Sequence, residues 1–150
     1  MGKPTVISLF TGAGGLDYGF EAAGFRTTVA LDLDHDSCQT IRHNRNWPVI
    51  ERDLLKVPVS EILENANLAP GEVDVVIGGP PCQPFSKSGY WARGESRRLA
   101  DPRAATLDAY LTAIEGTLPR VFLLENVHGI AYSSKNEGLE LLLRQIEAIN

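Results

Sequence analysis

A chain of 150 residues with 43% hydrophobic and 22% charged residues has the balance of one ordinary globular domain, long enough to bury about 70% of the surface its unfolded form exposes. No apolar run approaches the roughly 20 residues of a membrane span. Met1-Gly2-Lys3-Pro4 carries no signal-peptide pattern, and two cysteines, Cys38 and Cys82, make neither a disulfide framework nor a metal cluster, so an intracellular, cytoplasmic setting is expected.

The net charge of −5 weighs against a nucleic-acid partner, but it is unevenly placed. Residues 86–103 hold Lys87, Arg93, Arg97, Arg98 and Arg103 against Glu95 and Asp101; this +3 segment leaves −8 on the remainder. A basic loop on an acidic body is a local electrostatic footprint.

In chain order, Thr5–Phe10 is predicted as a β-branched, apolar first strand. It runs through Thr11–Gly15 into a helix over Leu16–Ala23, with Gly24 placed to cap its C-terminal end. Arg26–Leu31 is a second strand, ending in Asp32-Leu33-Asp34. A helix then starts at Asp34 or Asp36, its acidic first turn suiting the helix dipole. Trp47–Arg52 is a short third strand ending at Asp53. Val57–Ala66 is a helical stretch in which Pro58 is tolerable only in the first turn. After a turn at Leu68–Gly71, Val73–Ile77 reads as a buried strand stopped by Gly78-Gly79-Pro80-Pro81. That leaves the thiol of Cys82 just past the strand's carboxyl end, on a stiffened loop. Beyond the basic loop, Ala104–Leu118 is a helix with Leu107, Tyr110, Leu111 and Ile114 on one face. Pro119 ends it, and Val121–Leu124 is another buried strand, stopping at Glu125-Asn126-Val127. Asn136–Ile149 is amphipathic, with Leu139, Leu142, Leu143 and Ile146 at helical spacing and Asn136 as N-cap. Strands alternating with helices through right-handed crossovers make an α/β fold, a doubly wound, mostly parallel sheet.

In such a sheet the strand ends line one edge, where ligands bind. The first end carries Phe10, Thr11, Gly12, Ala13, Gly14 and Gly15. Its three glycines let a ligand approach the backbone, and the following helix N-terminus offers unpaired N–H groups. The pattern lacks the third glycine of the G-x-G-x-x-G fingerprint, where Asp17 stands, so a pyrophosphate is not the expected guest. Asp32 lies about 20 residues after the glycines, the distance of an acid that accepts from ribose hydroxyls, and Asp53 is placed to accept from an adenine amino group. Together they favour a nucleoside ligand. Glu125, following the apolar run Val121–Leu124, is expected to be desolvated, with its pKa raised so that it holds a proton near neutral pH. Cys82 and Glu125 would then sit on neighbouring strand ends and face one pocket.

These residues resemble one family, the DNA cytosine-5 methyltransferases. Phe10-Thr11-Gly12-Ala13-Gly14-Gly15 looks like its first cofactor motif, and Gly79-Pro80-Pro81-Cys82-Gln83-Pro84-Phe85-Ser86 like its catalytic-cysteine motif. Asp101-Pro102-Arg103 and Glu125-Asn126-Val127 are similar to two further motifs, in the family's order. The resemblance implies a Rossmann-like methyltransferase fold using S-adenosyl-L-methionine and no metal. Phe10 to Gly15 would cradle the methionine part, Asp32 the ribose, and Leu33 and Asp53 the adenine, with Leu54 and Pro80 as further cofactor contacts. It also implies catalysis by Cys82, Gln83, Glu125 and Asn126. The Cys82 thiolate adds to C6 of cytosine, protonated Glu125 stabilises charge on the ring through N3, and Asn126 orients Glu125 or the pocket backbone. The target base must leave the duplex, and the basic loop, with Ser86, Lys87, Ser88, Arg93, Arg97, Arg98 and Arg103, would close over double-stranded DNA.

Two departures qualify the resemblance. The family's later Gln-x-Arg-x-Arg motif, target-recognition region and closing cofactor motif are absent, and Ala-Ala-Thr-Leu follows Arg103 where many members have Gly and a large apolar residue. Residues 1–150 are therefore expected to be the N-terminal portion of a single catalytic domain, from a truncated gene product or a split enzyme whose C-terminal half is a second subunit. Alone, they are expected to be nearly inactive. Two alternatives are the same chemistry on tRNA, and a non-catalytic cofactor-binding subunit. The trio Cys82, Gln83 and Glu125 argues against the latter.

Overall fold

A computed structural model describes residues 2–81, 104–126, 143–144 and 146–149. The described elements are β1 (Thr5–Leu9), α1 (Gly15–Ala22), β2 (Arg26–Asp32), α2 (His35–Asn44), β3 (Val49–Glu51), a 3-10 turn (Leu54–Lys56), α3 (Val59–Ala66), β4 (Val75–Gly78), α4 (Ala104–Thr117) and β5 (Val121–Leu124). The strands form one parallel sheet in the order β3-β2-β1-β4-β5. The chain first winds outward from β1 to β3, then crosses to β4 on β1's other side. The boundary between β1 and β4 is thus a topological switch point, where the crossovers on either side diverge and leave a crevice.

Alternation along the strands divides the core between two faces. Val6, Val75 and Ile77 pack with Phe20 and Phe25 of the α1 segment. On the opposite face Ile7, Leu9, Val29, Leu31 and Val76 join Ile62 of α3 and Tyr110, Leu111 and Ile114 of α4. Leu107 packs against this second cluster, so the predicted apolar face of α4 is the one it buries. The Tyr110 hydroxyl donates to the Leu123 carbonyl at 2.9 Å, and burial pushes its pKa up.

Local chemistry places the helix ends. Gly24, at φ +93°, follows α1, and its N–H donates to the Glu21 carbonyl at 3.0 Å. Asp34, not Asp36, caps α2, accepting from the Ser37 N–H at 2.8 Å. Pro58 occupies the N-cap of α3 rather than its first turn, where its lack of an N–H is harmless.

One strand departs from its predicted character. Val121–Leu124 is not buried on both faces: its residues alternate exposed and half-buried, with Val121 60% exposed. Among the described residues β5 is an edge strand, so only one of its faces, carrying Phe122 and Leu124, reaches the core. The predicted helix over Asn136–Ile149 falls mostly outside the described residues. Among the described residues, no helix is long and apolar enough to cross a membrane.

Candidate active site

The parallel sheet brings the strand ends to one edge, in the order Glu51–Asp53, Asp32–Asp34, Phe10–Gly15, Gly79–Pro81 and Glu125–Asn126. The glycine loop leaves β1 through Phe10, a non-glycine residue at φ +53°. Its course is set by β2: the Thr11 N–H donates to the Leu31 carbonyl at 3.1 Å, and the Gly12 N–H to Asp32 Oδ2 at 2.7 Å. Gly12 has φ +54°, and a Cβ there would meet nothing within 4 Å, so the loop faces open space. Gly14 has φ +89°, and a Cβ there would stand 3.3 Å from the Tyr18 ring and 3.5 Å from Trp47. A side chain at Gly14 is therefore strained by the backbone and crowded by the Tyr18 ring.

Asp32 is tied on both carboxylate oxygens, since Oδ1 also accepts from the Asp34 N–H at 2.9 Å. Each oxygen retains acceptor capacity for a ligand hydroxyl. Hydrogen bonds from Ser37 hold the Asp34 carboxyl below its usual range. Asp53 caps the 3-10 turn, accepting from the Leu55 N–H at 3.1 Å. Leu54 places its side chain in the core, while Leu33 and Leu55 are 69% and 50% exposed beside the two acids. Leu55 escaped the sequence reading because nothing local distinguishes it from Leu54. The 3-10 turn alone decides which of the two turns inward.

Glu51, the register partner of Asp32, anchors a polar cluster at the same end. It binds His35 Nδ1 at 2.6 Å and the Arg42 guanidinium. Arg42 first and then His35 hold the Glu51 carboxyl below its ordinary value, and Glu51 in turn raises the pKa of His35.

At the other end of the edge, the pairing of Gly78 with Leu124 sets the Gly79–Pro81 and Glu125–Asn126 segments side by side. The Glu125 N–H donates to the Gly78 carbonyl at 2.8 Å, and Asn126 Nδ2 donates to the Pro80 carbonyl at 3.2 Å. Pro80 is buried and Glu125 is exposed. The expected desolvation of Glu125 is thus corrected: an edge strand gives its terminal carboxylate no apolar surround among the described residues. A Cβ on Gly79 would stand 3.0 Å from Glu125 Oε2, so the flexible end of Glu125 lies against the open side of Gly79.

Cys82 follows directly on Pro81, but Cys82, Gln83, Ser86, Lys87, Ser88, Arg93, Arg97, Arg98 and Arg103 lie outside the described residues. The second cysteine is a different kind of group. Cys38 is buried in α2, its Sγ 3.6 Å from the Asp32 carbonyl, and burial pushes its thiol pKa up, which disfavours the reactive thiolate.

This edge, with a glycine loop beside acids and a Gly-Pro-Pro segment beside Glu-Asn, has a counterpart in known proteins. Residues 4–150 match the model of the C-5 cytosine-specific DNA methylases. The chain belongs to that family. It is 43% identical over 141 residues to the Type II methyltransferase M.AquIA of Picosynechococcus sp., covering 93% of this chain and 55% of that protein. Identity to the Type II methyltransferase M.SacI of Streptomyces achromogenes is 39% over 153 residues, covering 92% and 38% of the two. A solved structure of a prophage-encoded E. coli protein described as a DNA modification methyltransferase superposes with a TM-score of 0.75 at 25% identity, over 97% of this chain and 38% of that one. The S. pombe Dnmt2 methyltransferase shares the fold, at TM-score 0.64 and 20% identity over 95% and 39% of the chains. The architecture is the Rossmann-like fold of S-adenosylmethionine-dependent methyltransferases. The chain spans about half, or less, of the length of these curated relatives.

Proposed function

We propose that these residues form the N-terminal portion of a catalytic domain that methylates C5 of cytosine in double-stranded DNA. The observation that carries this reading is the side-by-side setting of Gly79-Pro80 and Glu125-Asn126, one strand from the glycine loop. On this reading Cys82, which follows Pro81 in sequence, and Glu125 serve one crevice, next to a backbone cradle.

The residues fit S-adenosylmethionine as donor. The space above Gly12 is open, Asp32 and Asp53 are acceptors for ribose hydroxyls and an adenine amino group, and exposed Leu33 and Leu55 offer apolar walls. When bound, this cofactor supplies an electrophilic methyl group.

The chain's own groups do the rest. The Cys82 thiolate adds to C6 of a cytosine turned out of the duplex, forming a C–S bond and moving the C5–C6 π electrons to C5. With the base against it, Glu125 bridges to N3 through a shared proton and stabilises the charge that accumulates on the ring. After C5 is methylated, loss of its proton and departure of the Cys82 thiolate restore the aromatic ring as 5-methylcytosine. Asn126 holds the turn that carries Cys82. The basic segment with Lys87, Arg93, Arg97, Arg98 and Arg103 contacts the phosphates. A polypeptide of these 150 residues alone transfers little methyl, because the family's later arginine motif and target-recognition region are not among them.

Covalent trapping on DNA containing 5-fluorocytosine tests the reading, because fluorine at C5 blocks the final elimination. With S-adenosylmethionine and a supplied C-terminal half, wild type is expected to form an adduct that Cys82→Ser, with Cys38 intact, does not. Absence of any adduct, with or without the second half, overturns the reading in favour of a non-catalytic subunit. An adduct on matched tRNA instead overturns the DNA assignment.

A further inference from the structure

Asp17 enters the sequence only as the residue that spoils a third glycine, yet its carboxylate is fully buried, 0% exposed. Among the described residues it is the one charged side chain in that state. Three hydroxyls converge on it from three segments. Thr11 Oγ1 of the glycine loop donates to Oδ2 at 2.7 Å, Ser8 Oγ of β1 to the same oxygen at 2.8 Å, and Thr27 Oγ1 of β2 to Oδ1 at 3.1 Å.

The arrangement depends on an irregularity in the sheet. Val6 pairs with Thr27 but Ile7 pairs with Val29, so β2 carries one extra residue, Thr28, at a β-bulge. Thr28 Oγ1 donates to the Val6 carbonyl at 2.9 Å. In an unbroken strand Thr27 and Val29 would share a face. The bulge lets Val29 enter the core under α3 and α4 while Thr27 turns to Asp17 beneath α1, the re-aiming that such bulges accomplish.

We propose that Asp17 is a positioning residue for the donor-binding loop. It fixes Thr11 from beneath while Asp32 fixes Gly12 from β2, so the loop is held by two carboxylates before any ligand arrives. An apolar side chain would fill the space below α1 without the cost of burying a charge. What the carboxylate adds is a defined place for Thr11. A preformed loop spends none of its binding free energy on ordering itself. This inference rests on the S-adenosylmethionine reading above.

Calorimetric titration of the intact protein with S-adenosylmethionine tests it, alongside melting curves. Thr11→Val and Asp17→Asn are each expected to weaken binding about tenfold. Because both break one link, the double variant is expected to lose the same tenfold rather than about a hundredfold. Ser8→Ala and Thr27→Val, which release the same carboxylate away from the loop, are expected to lower Tm while leaving Kd within about twofold. Unchanged Kd in Thr11→Val and Asp17→Asn, or losses that multiply in the double variant, overturn the inference. If Asp17→Asn does not fold, Thr11→Val decides alone: a loss restored by Thr11→Ser supports the inference, and unchanged Kd overturns it. Failure of wild type to bind the donor overturns the donor reading itself, an outcome distinct from insensitive variants of a binding protein.

Discussion

The side-chain amide of Asn126 reaches across from the end of β5 and donates to the Pro80 carbonyl at the end of β4, at 3.2 Å. Proline cannot donate in return, so this carbonyl is the handle by which the stiff Pro-Pro turn is held against its neighbour strand. Cutting that strut leaves both strands intact but frees the turn that carries Cys82. With a C-terminal half supplied, Asn126→Ala is expected to slow adduct formation on 5-fluorocytosine DNA about tenfold, at the upper end of what one hydrogen bond contributes, with donor affinity unchanged. Adduct kinetics and calorimetry on the same preparation check this.

Two adjacent glycines are expected to fail in different ways. A Cβ on Gly78 would stand 2.6 Å from Tyr110 Cε2 and 2.8 Å from the Leu9 carbonyl, neither of which can yield easily. Gly78→Ala is therefore expected to lower stability by about 1–3 kcal/mol, as overpacking does, and urea denaturation measures it. At Gly79 the obstacle is the mobile end of Glu125. Gly79→Ala is expected to keep the urea midpoint and, with a C-terminal half supplied, to lower the rate of methyl transfer, because the added methyl displaces the Glu125 carboxyl group.

Asp32→Asn keeps the size of the side chain but turns one acceptor into a donor. The amide then faces either the Gly12 N–H or the Asp34 N–H, both of which now find a carboxylate oxygen. The expected loss is about 1–3 kcal/mol of stability, typical of a donor left unsatisfied, together with donor binding weakened at least about tenfold. Thermal melts and titration calorimetry separate the two.

The His35–Glu51 pair gives stability a pH dependence whose sign follows from both shifts. His35 is raised above its ordinary 6.5, so its contribution is full below that value and is lost as pH rises through the raised pKa. Glu51 is lowered from 4.5, so its contribution is full above that value and is lost as pH falls through the lowered pKa. Tm is expected to be highest between these ordinary values and to decline modestly as pH rises above 6.5, since His35 is largely exposed. In His35→Gln that alkaline decline is expected to flatten, which scanning calorimetry at a series of pH values reads directly.

The alternation of β-branched runs with amphipathic stretches was enough to specify a doubly wound sheet, because each element must bury its own apolar face. The turn chemistry was equally local: Gly24, Pro58 and Pro119 act within a few residues of themselves. So were the motifs. Thr11-Gly12-Ala13-Gly14-Gly15 and Gly79-Pro80-Pro81-Cys82 are contiguous, and Asp32 betrays itself by its distance from the glycines. The sequence alone therefore determined the family resemblance and the edge at which the chemistry gathers.

What tertiary structure decided were relations between segments far apart in the chain. Whether β5 is buried or an edge depends on strand order, which places it last among the described strands, and so Glu125 is exposed rather than desolvated. Which leucine after Asp53 turns inward depends on a 3-10 turn packing against the core. Asp17 shows the division most clearly. In sequence it is an acid in the first turn of a helix, indistinguishable from one that merely complements the dipole. Only a bulge in a neighbouring strand, by rotating Thr27 beneath α1, gives that acid its third hydroxyl. A carboxylate's burial is set by what surrounds it in space, and no local pattern encodes that.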